Sequence, residues 1–523
     1  MGCACSCLDE LGVPTDIPLP TNLSRSVKKE LYEDLEGYDW PFENLVLEGG
    51  GAKGNAYPGA LQVLEELGIL KKIKRFGGAS AGACTAGMLA LGYTPRDIAA
   101  LLDLDQEFLV QDAHCGKLAM LPNLYCKFGW NPGKRYIEVL RLYVREATGK
   151  ADYTFGDLYR DRGIELCVVV TNVTKMGIEY LHPKTTPDMP IAEAMQMSSS
   201  IPGFFQPPSY KKGDHLEYYV DGGMLCNYPV HVFDGWYLSM RPEDSFFQRL
   251  GSEEPPFHKY NEKTLGLIVY ATDEQDLMKV SVHQSCKDVY WKLPDTKLAG
   301  KRGPQFKELQ AEIKKKAAVI HAAKTFFPML KACDLDKDGN IDLHEFKLAM
   351  DRLSQTNPDV IETLFGKDMD WEEAFKEIDT DSSLEFTAAE FMSFLERKGV
   401  VSPLEYISDV SLVPIKTLGD FTSALINTFT LQAYRQFLKP RDPERTVGIY
   451  TNYIQALDLD MAKQDKIFLR KQGAIGVAEF LRSYLERKNR QDEVLIPESV
   501  LLQETARHEE RLEQLEAEFL TSV

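Results

Sequence analysis

The reading of this chain turns on Leu45-Val46-Leu47-Glu48-Gly49-Gly50-Gly51-Ala52-Lys53-Gly54, followed by Gly78-Ala79-Ser80-Ala81-Gly82. In the first stretch apolar residues run into four glycines, and from about Tyr57 Ala60, Leu61, Val63, Leu64 and Leu67 fall on one face at helical spacing. Strand, glycine turn and helix in that order leave backbone N–H groups unpaired at a helix N-terminus, where they hold negative charge. In the second stretch Ser80 sits in Gly-x-Ser-x-Gly, between an apolar segment and a helix-like one from Ala83 to Leu91. That spacing describes a nucleophile elbow, whose glycines let the chain turn sharply and present a serine hydroxyl. An anion cradle followed by an exposed serine points to acyl transfer.

The glycines alone admit other readings. Gly49-x-Gly51-x-x-Gly54 also matches the dinucleotide fingerprint. Roughly 20 residues on, that fingerprint needs a carboxylate for the ribose, and Lys71-Lys72-Ile73-Lys74-Arg75 offers basic side chains. A P-loop needs Lys and then Ser or Thr after its last glycine, whereas Asn55 and Ala56 follow Gly54. A structural turn stays open for these glycines by themselves. The serine elbow favours an oxyanion hole.

A third piece is Asp221-Gly222-Gly223, where Tyr218-Tyr219-Val220 reads as a short strand and the glycines let other backbone come close. Asp-Gly by itself is an ordinary turn. The order of glycine cradle, Gly-x-Ser-x-Gly and Asp-Gly-Gly, however, resembles the patatin-like acyl hydrolases. The likeness extends to Ser198-Ser199-Ser200-Ile201-Pro202-Gly203-Phe204-Phe205-Gln206-Pro207 and to Asn227-Tyr228-Pro229-Val230. The resemblance implies a three-layer α/β/α sandwich in which a Ser–Asp dyad works, with Ser80 as nucleophile and Asp221 as its base. It implies an oxyanion hole in the loop of Gly49, Gly50, Gly51 and Ala52, with Lys53 at the family's basic position beside it. A carboxylate can serve as base if burial raises its pKa. A Ser-His-Asp triad stays open, since His231 and His283 follow Asp221 in the order such a triad needs.

With 523 residues, 44 % of them hydrophobic and 27 % charged, the chain has room for two or three domains. A net charge of −19 argues against nucleic acid and against general attachment to anionic membranes. No run approaches the roughly 18 apolar residues of a transmembrane helix, and the start lacks the basic and apolar regions of a secretory signal. Met1-Gly2-Cys3-Ala4-Cys5-Ser6-Cys7 instead matches the N-myristoylation pattern at Gly2, with Cys3, Cys5 and Cys7 available for palmitate. One myristoyl chain anchors marginally, so cysteine acylation supplies the second signal; Asp9, Glu10, Asp16 and Glu30 against Arg25, Lys28 and Lys29 leave no polybasic patch. These residues predict attachment to the cytosolic face of a membrane. The remaining cysteines form no CxxC pairs, which suits a reducing compartment.

Residues 1–40 read as lipid-anchor tail and linker, and residues 41–300 as the first part of the hydrolase domain. Glu165-Leu166-Cys167-Val168-Val169-Val170 and Leu265-Gly266-Leu267-Ile268-Val269-Tyr270 are near-continuous apolar runs, expected of strands buried on both faces. A different object follows over residues 301–400. Asp334-x-Asp336-x-Asp338-Gly339-Asn340-Ile341-Asp342-x-x-Glu345 meets the EF-hand loop pattern at every defined position. Calcium would take oxygens from Asp334, Asp336 and Asp338, the carbonyl of Asn340, Asp342 through water, and Glu345 bidentately, with Gly339 at the sharp turn. A weaker second loop offers Asp379, Asp381, Ser383, Glu385 and Glu390, with Leu384 where the glycine belongs. If Leu384 must be left-handed, the cost is roughly 1–2 kcal/mol. Strand-like Thr446–Thr451 and a helix-like run from Met461 to Leu481 return to α/β character over residues 401–490, so an all-α EF-hand pair is expected to be inserted within the hydrolase domain. Residues 491–523 read as a C-terminal amphipathic helix.

The sequence thus predicts a membrane-anchored, calcium-regulated lipid acyl hydrolase of phospholipase A or lysophospholipase type, acting on membrane glycerolipids. Calcium is expected to regulate or to stabilise rather than to take part in catalysis. The alternative is a calcium-sensing membrane adaptor on an inactive patatin-like scaffold.

Overall fold

Among the described residues eight strands build the central sheet: β1 (Asn44–Leu47), β2 (Arg75–Ala79), β3 (Glu165–Asn172), β4 (Gly177–Leu181), β5 (Ser209–Lys212), β6 (His215–Asp221), β7 (Thr264–Ala271) and β8 (Thr446–Asn452). The computed structural model describes residues 31–274 apart from 115, residues 292–398 apart from 368, residues 428 and 433, and residues 436–493. The sheet runs β8-β7-β1-β2-β3-β6-β5, with β4 also alongside β3. From β8 to β3 the strands are parallel, and β4, β5 and β6 pair antiparallel. One detail of register positions the site. β4 occupies one edge of β3 from Val168 to Asn172, so β2 and β6 share the other. There β2 ends with Ala79 opposite Val169, and β6 ends with Asp221 opposite the next residue, Val170. Whatever follows Ala79 therefore emerges beside Asp221.

Side chains alternate across the strands, and both faces are covered. Leu45, Leu47, Val168, Val170, Leu267 and Val269 face a layer of long helices: α1 (Tyr57–Glu66), α2 (Ser80–Ala90), α3 (Lys134–Thr148), α4 (Ile191–Ser198), the start of α5 (Lys297–Cys333), and α6 (Lys463–Glu493). Val46, Ala79, Cys167, Val169, Ile268 and Tyr270 face the short turns Gly223–Cys226 and Val230–Phe233, backed by Tyr237, Phe257 and Phe437. Among the described residues from Gly223 to Phe257 this layer contains no long helix. Pro229, Gly235, Pro242, Pro255 and Pro256 interrupt that part of the chain and prevent one.

Beyond the sheet, α5 is 37 residues long, roughly 55 Å at the α-helical rise. Its far end opens a helical segment with a core of its own around Phe326, Phe346, Phe365, Phe375 and Phe391. Two helix–loop–helix units, α5 with Leu343–Thr356 and Trp371–Ile378 with Ala388–Arg397, are joined by the helix Pro358–Phe365. Their loops are joined by a two-residue antiparallel ladder, Ile341 to Phe386 and Asp342 to Glu385. β8 then pairs with β7, and α6 packs on α1, so the helical segment lies between two stretches of one α/β body.

Two expected boundaries move. Residues 31–40 are packed rather than linking: Leu31, Tyr32, Leu35 and Trp40 are buried in the main core, and Asp34 pairs with Arg482. The division at residue 301 falls inside α5, because Ala299 and Phe306 still belong to the sheet's core. Gly2, Cys3, Cys5 and Cys7 lie outside the described residues, as does the helix expected over 491–523 apart from residues 491–493, which end α6. Among the described residues no helix is long and apolar enough to cross a membrane.

Candidate active site

β2 delivers Ser80 to the first position of α2 at a φ of +51°, a left-handed conformation costing a non-glycine residue on the order of 1–2 kcal/mol. The flanking glycines are needed for space. A Cβ on Gly82 would lie 2.3 Å from the Leu47 carbonyl oxygen, and one on Gly78 would lie 2.5 Å from the Gly82 carbonyl carbon. The elbow is thus folded tightly on itself and against the end of β1. Its N–H is also held, because Ser80 N donates to Ser198 Oγ at 2.9 Å and Ser198 Oγ donates to the Val169 carbonyl at 2.6 Å.

The register described above brings Ser80 and Asp221 into contact. Ser80 Oγ donates to Asp221 Oδ2 at 2.6 Å, and Gly223 N–H donates to Asp221 Oδ1 at 2.7 Å. Asp221 is buried, and burial pushes its carboxyl from the ordinary 3.8 up to about 6, with the hydrogen bonds from Ser80 and Gly223 pulling the other way. The glycine after it is again a matter of space, since a Cβ on Gly222 would lie 2.1 Å from the Val169 carbonyl oxygen.

The glycine loop after β1 stands against the same elbow, where a Cβ on Gly49 would lie 2.9 Å from the Ser80 Cβ. Its N–H groups are not equivalent. Gly49 donates to the Asn227 carbonyl at 2.9 Å, Ala52 to the Ala456 carbonyl at 2.8 Å, and Lys53 to the Gly50 carbonyl at 3.1 Å. The donors not spent on these bonds are those of Gly50 and Gly51, the latter at φ +52°. Lys53 is buried and its ammonium is paired with the Glu274 carboxylate, so its charge is already met. Two residues whose parts the motifs did not specify hold the loop in place. Asn227 Nδ2 donates to the Gly49 carbonyl at 3.0 Å and to Glu48 Oε1 at 3.2 Å, while Glu48 Oε2 accepts Val269 N–H at 2.8 Å. Asn227 thereby ties the segment that follows Asp221 to the loop.

Ser80 lines a largely apolar cavity of about 140 Å³, walled by residues such as Met88, Leu101, Leu109, Val139 and Phe204, with Ala456–Leu459 on another side. Its polar lining includes Cys84, Tyr136 and Ser199, with Cys84 Sγ 3.0 Å from Tyr136 Oη and 3.2 Å from Ser199 Oγ. Burial raises both the thiol and the phenol, which keeps them neutral. His231 is engaged elsewhere: its Nε2 bonds Tyr180 Oη at 3.0 Å and its ring stacks on Phe437. Burial pushes it down to about 3. His283 lies outside the described residues. Among the described residues, Asp221 is the carboxylate in contact with Ser80.

In the first helical loop Asp334, Asp336 and Asp338 converge, with one carboxylate oxygen from each lying within 4.8 Å of the others. Asp334 Oδ1 is buried without a hydrogen-bond partner, and Glu345 closes the loop by accepting Leu335 N–H at 2.6 Å and Asp342 N–H at 3.1 Å. In the second loop Asp379, Asp381 and Glu390 converge similarly, but backbone N–H groups of Ser383 and Leu384 already reach both oxygens of Asp379 at 3.1 Å. Ser383 donates its hydroxyl to the Glu385 carbonyl.

The site thus joins a serine at a strained strand-to-helix elbow, a buried carboxylate bonded to it and an apolar cavity, and a serine hydroxyl so placed becomes a nucleophile when such a neighbour takes its proton. Residues 45–234 match the family described as patatin-like phospholipase. The protein YqhO of Bacillus subtilis is 35 % identical over 195 residues, which span 36 % of this chain and 65 % of that one. A probable lipid hydrolase, 463L, of Invertebrate iridescent virus 6 is 29 % identical over 197 residues, spanning 36 % and 63 % of the two chains. Among solved structures, VipD from Legionella pneumophila is similar at 17 % identity, covering 85 % of this chain and 67 % of that one with a TM-score of 0.38.

Proposed function

We propose that this chain is a membrane-anchored, calcium-regulated lipid acyl hydrolase of phospholipase A or lysophospholipase type. The observation that carries the reading is the 2.6 Å bond from Ser80 Oγ to a buried Asp221 at the end of an apolar cavity. A carboxylate at about 6 is a better proton acceptor near neutral pH than one at 3.8. In this reading Asp221 takes the hydroxyl proton as Ser80 Oγ attacks the ester carbonyl carbon. The carbonyl electron pair moves onto its oxygen, towards the N–H groups of Gly50 and Gly51. Collapse breaks the ester C–O bond, and the departing alcohol oxygen takes the proton from Asp221, leaving the acyl group on Ser80. Water then repeats the sequence, freeing the fatty acid and restoring the hydroxyl. The apolar walls suit an acyl chain.

Asp334, Asp336, Asp338, Asn340, Asp342 and Glu345 would hold calcium, a hard cation that takes oxygen ligands and neutralises converging carboxylates. The bare Asp334 Oδ1 supports this. The dyad and loop donors supply the acid–base and oxyanion roles, so calcium is assigned to regulation. Acylation at Gly2 and at Cys3 or Cys5 would hold the enzyme on the cytosolic face beside its glycerolipid substrate. A clickable myristate label lost in Gly2→Ala checks the anchor.

The decisive assay is release of fatty acid from phospholipid vesicles, with calcium and with chelator, by wild type and Ser80→Ala. Release that rises with calcium and vanishes in the variant is expected. Release that survives in Ser80→Ala overturns the assigned nucleophile, and no release by wild type under either condition returns weight to a calcium-sensing adaptor.

A further inference from the structure

The helix Met120–Lys127 has no buried residue, although it carries Leu121, Leu124 and Tyr125. A surface helix ordinarily turns such side chains towards the body. Here Leu121 is 72 % exposed and Tyr125 88 %, with Leu118 at 86 % before the helix and Phe128 at 64 % after it. Phe128 is held at φ +61°, which a bulky residue adopts only at a cost. Its ring meets the edge of Tyr218, which is itself exposed on β6 near Leu216. A contiguous exposed apolar surface of this kind marks contact with a protein or a membrane.

Two observations choose the membrane. The first is continuity with the cavity. The helix leads into a short strand, Gly129–Asn131, that pairs with Gly203–Phe205, and the Trp130 ring packs edge-on against Phe204. Phe204 and Phe205 line the cavity that holds Ser80. The second is charge. Residues 113–137 contain Lys117, Lys127, Lys134 and Arg135 and no Asp or Glu, and with the flanking Asp112 and Glu138 the stretch still carries a net +2 (four cations less two carboxylates) in a chain whose net charge is −19. Exposed leucines and aromatics on a cationic background suit a segment lying in the interface of an anionic bilayer.

We infer that the apolar face over Leu118–Phe128, joined by Tyr218, is a docking surface for a bilayer containing anionic lipid, from which an acyl chain enters the Ser80 cavity. The inference rests on the lipid-hydrolase reading and names how that site meets its substrate; it does not need acylation at Gly2.

The test uses the full chain produced without acylation, floated with phosphatidylcholine vesicles that contain or lack phosphatidylserine. Wild type is expected to float, and better with phosphatidylserine. Leu121→Asp/Tyr125→Asp is expected to bind about tenfold more weakly or worse, the factor that withdrawing such side chains from lipid implies. Its melting temperature and its hydrolysis of a soluble short-chain ester should match wild type. Lys127→Glu/Lys134→Glu should lose the phosphatidylserine preference. If the apolar variant floats as wild type does, the surface is misassigned. If wild type floats with neither vesicle, the face belongs to a protein partner and the inference fails. If the apolar variant alone loses binding while neither protein cleaves the soluble ester, the surface stands and the hydrolase reading falls.

Discussion

Burial holds Asp221 at about 6, against an ordinary 3.8, because the hydrogen bonds from Ser80 and Gly223 recover only part of the hydration it loses. That gap is on the order of 3 kcal/mol of stability withheld from the folded protein when the carboxylate is charged. The sign follows from proton binding. Between pH 3.8 and 6 the folded chain binds this proton and the unfolded chain releases it. The group's relative stabilisation is therefore complete below 3.8 and lost as pH rises through 6. Asp221→Asn keeps the shape and removes the charge, so it should raise the melting temperature at pH 8 while lowering hydrolysis by roughly 10²–10⁴-fold. The difference in melting temperature should shrink as pH falls towards 4. Wild-type kcat/KM should fall below about pH 6, where the proton already occupies the base. Equal melting temperatures at pH 8, measured by scanning calorimetry, would refute the buried charge, and a flat activity profile from pH 5 to 7 would refute its role as base.

At the scale of elements, the two helical loops differ at their sixth position. Gly339 sits at φ +87° and Leu384 at φ +70°, so the second loop does adopt the left-handed turn with a branched side chain, at about 1–2 kcal/mol. Leu384→Gly should therefore tighten calcium binding at the second loop by about five- to thirtyfold, the factor equivalent to that energy, and leave the first loop unchanged. Titration calorimetry on the full chain reads both sites, and an unaltered second site would show that the turn is not what limits it. These loops, the apolar strands and the elbow were legible in the sequence because each is written in short spacings of residue type. The pairing of Lys53 was hidden, because the partner that neutralises it, Glu274, lies far along the chain. The parts played by Ser198 and Asn227 were equally hidden, since each depends on which strand end it meets in space. The boundary at 301 failed for a related reason: polar, lysine-rich residues mark α5 as a new element, while Ala299 and Phe306 keep its first turns in the old core.

Across the whole molecule, the chain that returns after the helical segment is bound into the body at two places. Arg445 grips Asp234 through Nη1 at 2.7 Å and Nη2 at 2.9 Å in a buried pair that fixes β8 beside β7. The segment after β8 then reaches the site, with the Ala456 carbonyl taking the Ala52 N–H and Ala456–Leu459 lining the cavity. α5 touches that same segment. Arg302 Nη1 donates to Asp458 Oδ2 at 2.5 Å, and Thr296 Oγ1 donates to Asp465 Oδ1 at 2.7 Å. The other end of α5 runs directly into Asp334, the first residue of the loop proposed to hold calcium. One helix thus joins that loop to a wall of the cavity and to the backbone partner of the glycine loop, a contiguous route by which two sites can be coupled. If calcium acts along it, Arg302→Ala should leave calcium affinity at the first loop unchanged and remove about half or more of the calcium response of vesicle hydrolysis. Asp458→Ala should do the same, and the double variant should be no worse than either, because residues in direct contact on one route do not add. Hydrolysis of a soluble ester measured in chelator should stay near wild type in Arg302→Ala, whose side chain does not line the cavity, which separates lost coupling from a damaged site. A full calcium response in Arg302→Ala would mean that α5 is only a tether, with calcium acting through some other contact of the helical segment.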